Sequence, residues 1–174
     1  VSKVTLSKTA YIYDGKSKKP SVTVKDSNGT LLKKGKDYSI SYAKGRKNVG
    51  KYTVKITLKG NKYSGTKTCT FEIKPKNTRL TSESGQKKAF TVKWKKQTKQ
   101  TNGYQIQYAT KKNFSKAKTV TIKKNSTTKY KIKHCAANKK YYVRIRTYKN
   151  VKVNGKNTKI VSSWSTYETV KTKK

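Results

Sequence analysis

The chain has 174 residues, of which 46 are lysine or arginine and 6 are aspartate or glutamate, so its formal net charge is +40 at pH 7. Such a charge with only 31% hydrophobic residues is typical of disordered segments. However, 13 tyrosines, 2 tryptophans and 3 phenylalanines supply large apolar side chains. No apolar run approaches the ~20 residues that span a bilayer, so the sequence excludes a transmembrane helix and membrane insertion. We therefore predict a folded, strongly cationic chain with lysines on its outer face.

Short segments rich in Val, Ile, Thr and Tyr alternate apolar and polar residues along the whole chain. Turn signals such as Asp26-Ser27-Asn28-Gly29 separate them, because Asn and Gly tolerate the positive φ of hairpin turns. No segment has a sustained helical period, and strands at this spacing are typical of sandwiches and barrels. We therefore predict an all-β fold. The predicted strands are 22–25, 38–42, 52–58, 68–74, 90–94, 104–110, 119–123, 129–133, 141–148 and 159–163.

The segment 74–78 is the best candidate for a domain boundary. Pro75 cannot donate a backbone hydrogen bond to a β-ladder, so the preceding strand has to end before it. Lysines are dense on both sides of this point, which excludes a neutral domain with a basic tail. We predict two tandem β-sandwich domains, an Ig-like domain over residues 1–75 and a second domain over residues 76–174.

Four aromatic motifs run through the second predicted domain: Phe90-Thr-Val-Lys-Trp94, Gly103-Tyr-Gln-Ile-Gln-Tyr108, Tyr141-Tyr-Val-Arg-Ile-Arg-Thr-Tyr148 and Ser162-Ser-Trp-Ser165. With these motifs, residues 77–174 resemble a fibronectin type III domain. In that family an early tryptophan packs in the core, and a tyrosine at the start of the sixth strand forms the tyrosine corner. The resemblance therefore implies structural roles for Trp94 and Tyr141. It implies the fold and does not specify a function.

The first predicted domain carries a different set of motifs: Tyr13-Asp-Gly-Lys, Lys19-Pro-Ser-Val-Thr-Val-Lys-Asp26, Gly35-Lys-Asp-Tyr38, Val49-Gly50 and Asn61-Lys-Tyr63-Ser-Gly65-Thr. This pattern resembles the small Ig-like repeats of surface proteins from Gram-positive gut bacteria. A tandem of such a repeat and a fibronectin-like module is similar to the C-terminal regions of secreted, wall-associated proteins. The resemblance implies a secreted or cell-wall location. The sequence starts at Val1 without a signal peptide, so we expect a monomeric piece of a larger chain.

Residues that could carry catalysis or bind a metal are few. His134 is the only histidine, and we interpret it as a loop or edge residue rather than a catalytic base. Asp14 and Asp26 fall in turns, where their side chains bond backbone amides. Neither a phosphate-binding glycine loop nor a Cys–His metal spacing is present in the sequence. The sequence therefore predicts a chain that is not an enzyme and that has no metal or cofactor.

The two cysteines lie in different predicted domains. Cys69 shares a strand face with Phe71 and Ile73, and Cys135 directly precedes another strand. A disulfide would have to join the two domains. Two buried free thiols are therefore the favoured interpretation, and a disulfide is the alternative.

The predicted strand 141–148 carries Arg144 and Arg146 on its outer face. Trp164 belongs to the segment that pairs with this strand in the resembling fold, and a guanidinium stacked on an indole is favourable. A surface stack that stiffens the strand pair is the favoured interpretation, and a ligand site is the alternative. Lysine clusters complete the candidate contacts for a polyanion or glycan: Lys93, Lys95, Lys96, Lys111, Lys112, Lys123, Lys124, Lys139 and Lys140.

Only four of the 46 basic residues are arginine. Bidentate recognition of bases favours arginine, so no specific nucleic-acid binding is expected, whereas diffuse attraction to polyanions is. Three functions stay open: a spacer that associates with anionic wall polymers such as teichoic acid, an adhesin segment for host glycosaminoglycans or mucin glycans, and non-specific nucleic-acid binding. An even spread of lysines would favour the spacer. Lysines gathered beside exposed aromatics would favour a receptor site.

Overall fold

The protein was analysed as a computed structural model that describes residues 3–174. Over that range it forms fourteen β-strands and no helix, so the predicted all-β class is confirmed. Among the same residues, none forms a helix long and apolar enough to cross a membrane. The chain divides into two compact units. Unit 1 runs to Lys74 and includes Lys152–Lys156, and unit 2 comprises Pro75–Val151 and Asn157–Lys174. The domain ranges 1–75 and 76–174 stay a prediction.

Unit 1 contains two sheets. The antiparallel pair β1–β3 forms one sheet, and the other has the order β2-β6-β5-β4. The β2–β6 pair is parallel, whereas β5 is antiparallel to both of its neighbours. The strands of unit 1 are β1 (Lys3–Leu6), β2 (Ala10–Ile12), β3 (Val22–Lys25), β4 (Tyr38–Tyr42), β5 (Gly50–Leu58) and β6 (Thr66–Lys74).

The core of unit 1 is built by period-two alternation on these strands. Val54 and Ile56 of β5 are completely buried, and Phe71 of β6 lies in the same cluster. The ring of Phe71 contacts Tyr11 edge-on at 5.7 Å and Tyr52 at 5.6 Å between centroids. The tyrosines thus supply much of the apolar area that this lysine-rich segment needs for folding.

Unit 2 also contains two sheets. One has the order β11-β8-β7 and the other the order β10-β9-β12-β13, with β14 also paired to β12. The long strand β12 pairs with β9 along its centre and with β14 at its beginning. The strands that lie wholly or mostly in unit 2 are β7 (Leu80–Gln86), β8 (Ala89–Trp94), β9 (Gly103–Ala109), β10 (Lys118–Ile122), β11 (Lys129–Ile132), β12 (Lys140–Val153), β13 (Lys156–Val161) and β14 (Glu168–Lys171).

Aromatic rings from both sheets meet in the core of unit 2. Trp94, which is 3% exposed, lies edge-on to Tyr104 at 5.3 Å between ring centroids. Phe90 contacts Tyr108 at 5.8 Å and Tyr141 at 5.4 Å. The two facing sheets with these interdigitated rings form a β-sandwich.

The hydroxyls of two core tyrosines bind backbone groups of loops. The Tyr104 hydroxyl accepts a hydrogen bond from the Gln97 N–H at 2.8 Å and donates one to the Asn125 carbonyl at 2.7 Å. Burial raises the pKa of Tyr104, although its hydrogen bonds oppose the rise. The Tyr141 hydroxyl accepts a hydrogen bond from the N–H of Ala136, five residues upstream, at 2.9 Å. This is the backbone contact by which a tyrosine corner ties a connection to a strand.

Both cysteines are free thiols, as predicted, but the prediction that both are buried holds for Cys135 alone. Cys135 is buried, and burial raises the pKa of its thiol. Cys69 is only partly buried and packs against the core cluster of unit 1.

Asp26 holds the turn after β3 in place. Its carboxylate accepts hydrogen bonds from the N–H groups of Asn28 and Thr30, both at 2.9 Å, and from the Tyr63 hydroxyl at 3.1 Å. Burial opposes the charged form, but these hydrogen bonds and the charge of Lys62 outweigh it and lower the pKa of Asp26. The turn predicted at residues 26–29 is therefore built on this aspartate.

We expect the stability of unit 1 to depend on this carboxylate in acid. Because the folded state lowers the pKa of Asp26, its stabilisation is complete above the ordinary aspartate pKa of about 3.9 and is lost as the pH falls through the folded value. The Asp26→Asn variant is expected to be less stable than wild type at pH 7 and to differ less from it at pH 2. Urea denaturation at both pH values measures this. Asp14→Asn is the control, since Asp14 is an exposed turn aspartate paired with Lys18 at 2.5 Å. Equal pH profiles for wild type and Asp26→Asn would contradict the prediction.

Candidate cationic ligand-binding surface

The two kinds of basic residue occupy different environments. Every lysine is exposed except Lys18, Lys74 and Lys149, which are half-buried. Three of the four arginines, in contrast, are partly buried. Because the chain has 6 acidic residues for 46 basic ones, most lysines have no carboxylate with which to pair. Lysine thus supplies the surface charge, and arginine takes part in packing.

The outer face of β12 holds two arginines in fixed positions. Arg144 lies opposite Gln107 of β9 and donates from Nε to its Oε1 at 2.8 Å. Arg146 lies opposite Gln105 and donates in the same way, also at 2.8 Å. These cross-strand hydrogen bonds orient both guanidinium planes along the face of the sheet. Burial lowers the pKa of both arginines, and for Arg146 the charge of Arg144 adds to this effect.

Two serines position Trp164 over these arginines. The Ser162 hydroxyl accepts a hydrogen bond from the Thr147 N–H at 3.0 Å, and the Ser165 hydroxyl accepts one from the Ile145 N–H at 3.1 Å. The backbone N–H groups of Ser162 and Ser165 also donate to the carbonyls of Thr147 and Ile145, at 3.0 and 2.8 Å. The chain after β13 therefore follows β12 through both backbone and hydroxyl hydrogen bonds. Trp164 lies between the two serines, so its ring is placed directly over the outer face of β12.

The rings and cations on this face form a continuous row. The Arg146 guanidinium lies 4.1 Å from the Trp164 ring centroid, and that of Arg144 lies 4.9 Å from it. Arg144 also lies 4.0 Å from the Phe114 ring, which is 6.4 Å from the ring of Tyr167. Such contacts between a cation and a ring face are favourable by ~0.5–2 kcal/mol each. The predicted stacking of Arg144 and Arg146 with Trp164 is present in the structure.

Two of the predicted lysines extend this row. The Lys112 ammonium lies 5.8 Å from the Tyr167 ring, and that of Lys140 lies 5.3 Å from the Tyr142 ring. The rings of Tyr142 and Tyr167 contact each other edge-on at 5.5 Å. We call this whole set the cation–aromatic row; its members are Lys112, Phe114, Lys140, Tyr142, Arg144, Arg146, Trp164 and Tyr167.

The other predicted lysines are exposed but have no exposed ring at their side in the described part of the chain. Trp94 points into the core, so no exposed indole lies beside the cluster that flanks it. Lys93 instead lies opposite Lys129 on β11. The predicted residues with solvated side chains outside the row are Lys93, Lys95, Lys96, Lys111, Lys123, Lys124 and Lys139.

Sequence reasoning missed two rings of the row. Phe114 lies in a turn after β9 and adopts a left-handed backbone conformation with φ of 57°. Tyr167 lies in the short connection before β14. Neither lies in an alternating strand pattern. The aromatic side chain in a polar turn was the only available signal, since large rings seldom occupy such a position without a packing partner.

Asp37 lies in a turn, whereas Glu83 of β7 and Glu168 of β14 lie near each other. Asp37 accepts a hydrogen bond from the Lys33 N–H at 2.7 Å and closes the turn before β4. Burial and the nearby charge of Glu168 raise the pKa of Glu83. Across residues 3–174, no three His, Cys, Asp or Glu side chains are grouped so that they could hold a metal ion.

Comparison with protein families explains this architecture. The fibronectin type III domain family matches residues 73–165, which is more than half of the chain. The chain belongs to the fibronectin type III domain family. Fibronectin type III domains are generally non-catalytic modules and are typical of extracellular or surface proteins. The MBG domain family matches residues 2–77, so the segment before the fibronectin type III domain is similar to an MBG domain.

Two of the solved structures that are similar to the chain consist of fibronectin type III domains. The FN1-FN3 domains of chicken CNTN1 align with a TM-score of 0.46 and 17% identity over 73% of this chain and 44% of that one. A two-domain segment of chicken tenascin aligns with a TM-score of 0.45 and 18% identity over 71% and 66%. A beta-1,2-glucanase from Parabacteroides distasonis aligns with a TM-score of 0.43 and 14% identity over 70% and 18%. The chain thus spans less than two thirds of each of these proteins. No curated protein sequence matches it.

Proposed function

We propose that this chain is a non-catalytic accessory or spacer module of a secreted bacterial surface protein, whose lysine faces associate with anionic cell-wall polymers such as teichoic acids. The observation that carries this proposal is the environment of the lysines. They are exposed on both units, most have no carboxylate partner, and none is buried in the part of the chain that the structure describes. A surface of this kind attracts a flexible polyanion over its whole area.

The proposed setting follows from the families that the chain resembles. We propose that the protein is located at the cell surface or cell wall of a Gram-positive bacterium of the gut type. We further propose that it is a monomer within a larger chain and that it requires no cofactor. A rigid sandwich in such a chain separates other parts of the protein while its surface charge holds it near the wall.

A second candidate function is an adhesin segment that binds host anionic glycans such as glycosaminoglycans or mucin glycans. The cation–aromatic row favours it, because the row gathers four cations beside four rings on one face of the fibronectin type III domain. A receptor site requires this concentration, whereas a passive spacer does not. The same row also stiffens β12 against the segment 162–165, so the two interpretations make different predictions for its removal.

Non-specific nucleic-acid binding is the third candidate and has the least support. Specific readout of bases uses guanidinium groups that can approach a groove edge. Arg144 and Arg146 are instead fixed by Gln107 and Gln105 and covered by Trp164. Lysine charge alone leaves only salt-sensitive attraction to phosphate.

Binding to teichoic acid, heparin and the neutral glycan dextran across a salt series tests the proposal. We expect wild type to retain teichoic acid at about 150 mM salt, where the Debye length is ~8 Å, and to bind no dextran. If binding to every polyanion disappears below that salt concentration, the proposed function is contradicted. If binding to heparin alone persists at that salt concentration, the second candidate function, an adhesin segment, is favoured instead.

A paired set of variants separates the cation–aromatic row from diffuse charge. Arg144→Gln with Arg146→Gln removes two charges from the row, and Lys55→Gln with Lys67→Gln removes two exposed charges from unit 1. If the row is a receptor site, heparin affinity falls in the arginine variant and stays unchanged in the lysine variant. If the row only stiffens the sheet, both variants bind alike and the arginine variant melts at a lower temperature.

A further inference from the structure

One edge of unit 2 carries a groove that lies outside the cation–aromatic row. It consists of two adjoining hollows with volumes of about 540 and 190 Å³. Tyr108 and His134 line both hollows, so they lie where the hollows meet. Their combined size falls within the range of ~300–1,000 Å³ that is usual for ligand sites. We call this feature the edge groove.

The sandwich topology explains why the groove exists. Among the described strands, β10 is the end strand of one sheet and β11 is the end strand of the other. Val120 of β10 and Tyr130 of β11 line the same hollow, so these two end strands flank it. Between these two end strands the larger hollow reaches the margin of the buried core. Ile132, which is 2% exposed, lines the larger hollow together with Val120.

The formally charged side chains that line the edge groove are all lysines. Lys131 and Lys133 lie at the larger hollow, and Lys116 and Lys118 lie at the smaller one. No carboxylate lines either hollow. The groove of unit 1 differs in this respect, since Asp37 lies among its lysines. An anion in the edge groove would therefore meet cations on both sides without a competing negative charge.

Two tyrosines give the groove a second kind of contact. Tyr130 is 37% exposed and offers a ring at the larger hollow. Tyr108 is held from behind by Phe90 and Tyr141 at ring centroid distances of 5.8 and 6.2 Å, so its orientation is fixed. Its hydroxyl is protonated at neutral pH, as in any tyrosine with a pKa of about 10, and can donate a hydrogen bond. A tyrosine ring can pack against a flat apolar face of a ligand, while its hydroxyl stays available for a hydrogen bond.

Resting on the proposed association with polyanions, we infer that the edge groove binds an anionic polysaccharide built from pyranose rings, with a ring against Tyr130 and Tyr108 and its acidic groups between Lys131 or Lys133 and Lys118. A polymer without sugar rings would use the lysines alone. The groove therefore selects among polyanions, which the diffuse lysine surface cannot do.

Strand addition by an acidic peptide is the competing occupant of such an edge. It requires a flat row of free backbone groups along β10 or β11. Both strands carry exposed lysines, Lys118 on β10 and Lys129 and Lys131 on β11, and lysines on an edge strand oppose pairing with another strand. The charge and the rings fit a sugar polymer better than a peptide backbone.

Direct binding measurements at about 150 mM salt with the full chain test this inference. The ligands are heparin, which has sulfated pyranose rings, poly(glycerol phosphate), which has none, and poly-glutamate. We expect Tyr130→Ala, and separately Lys131→Gln with Lys133→Gln, to weaken heparin binding about fivefold or more. Tyr130→Phe is expected to bind as wild type does. Lys36→Gln with Lys59→Gln is the matched control, because these exposed lysines line the groove of unit 1 beside Tyr63.

The outcomes distinguish this inference from the function on which it rests. Loss of heparin in the edge-groove variants, with the control unchanged and poly(glycerol phosphate) little affected, supports the inference. If both lysine-pair variants lose the same amount of heparin affinity, the edge groove is not a specific site. Diffuse polyanion binding would then still stand. Equal weakening of poly-glutamate binding by Tyr130→Ala would overturn the selection for sugar rings. Wild type that binds no polyanion at this salt would overturn the proposed function itself. Thermal melting of each variant confirms folding, since Tyr130 and both lysines are exposed.

Discussion

Replacing Trp94 with alanine is expected to lower the free energy of unfolding of unit 2 by about 3–5 kcal/mol. The indole is 3% exposed and contacts Tyr104 in a core cluster that belongs to this unit alone. Its removal leaves a cavity, because the facing ring of Tyr104 is held by hydrogen bonds to Gln97 and Asn125 and cannot collapse into the space. A loss of this size is a large fraction of the ~5–15 kcal/mol that stabilises a typical domain.

Chemical denaturation followed by the fluorescence of the remaining tryptophan measures this effect. Trp164 is packed against Arg144 and Arg146, so its emission reports the unfolding of unit 2. Lys93→Ala is the matched control, since Lys93 is the exposed neighbour of Trp94 on the same strand. Denaturation midpoints that agree between the two variants would show that Trp94 does not hold the core together.

Replacing Gly103 with alanine is expected to cost about 3 kcal/mol or more, although the change adds a single methyl group. A Cβ at this position would lie 1.9 Å from the carbonyl oxygen of Ile122 and 3.1 Å from the ring of Tyr148. The first contact is with backbone at the end of β10, which cannot move aside as a flexible side chain can. The β9–β10 pair has to separate at this end to admit the methyl group.

Hydrogen exchange locates this damage. Amides of β10 are expected to lose protection in Gly103→Ala, while those of β12 stay protected longer because β12 has other partners. Gly60→Ala is the comparison: Gly60 has open space around it, but its φ of 89° makes alanine strained there. That strain costs ~1–2 kcal/mol. A smaller loss in Gly103→Ala than in Gly60→Ala would contradict the steric argument.

The strands that carry their own alternating pattern could be predicted from the sequence. The structure reproduces the predicted bounds of β3 and β4, and β12 starts one residue before the predicted strand. β12 then continues to Val153, although the alternation is interrupted where Lys149 and Asn150 follow each other. Where buried and exposed side chains alternate with the two-residue period of a strand, the local sequence pattern is sufficient to predict the strand.

The strands that were missed owe their structure to a partner. β7 has the sequence LTSESGQ, with little apolar content, and is a strand because β8 pairs with it along its length. β2 has three residues and forms a parallel pair with β6, a long-range contact that no local period signals. The candidate site divides in the same way. Arg144 and Arg146 alternate on a strand and could be predicted, whereas Phe114 and Tyr167 arrive from loops.

The separation of lysine from arginine has a consequence for how this protein can change over evolutionary time. Exposed lysines contribute little to folding, so they can be gained, lost or replaced with small effects on the architecture. The arginines of β12 are tied to glutamine and tryptophan partners and cannot drift alone. The net charge of the outer surface can therefore change by substitution of lysines, while the β-sandwich beneath it keeps its structure.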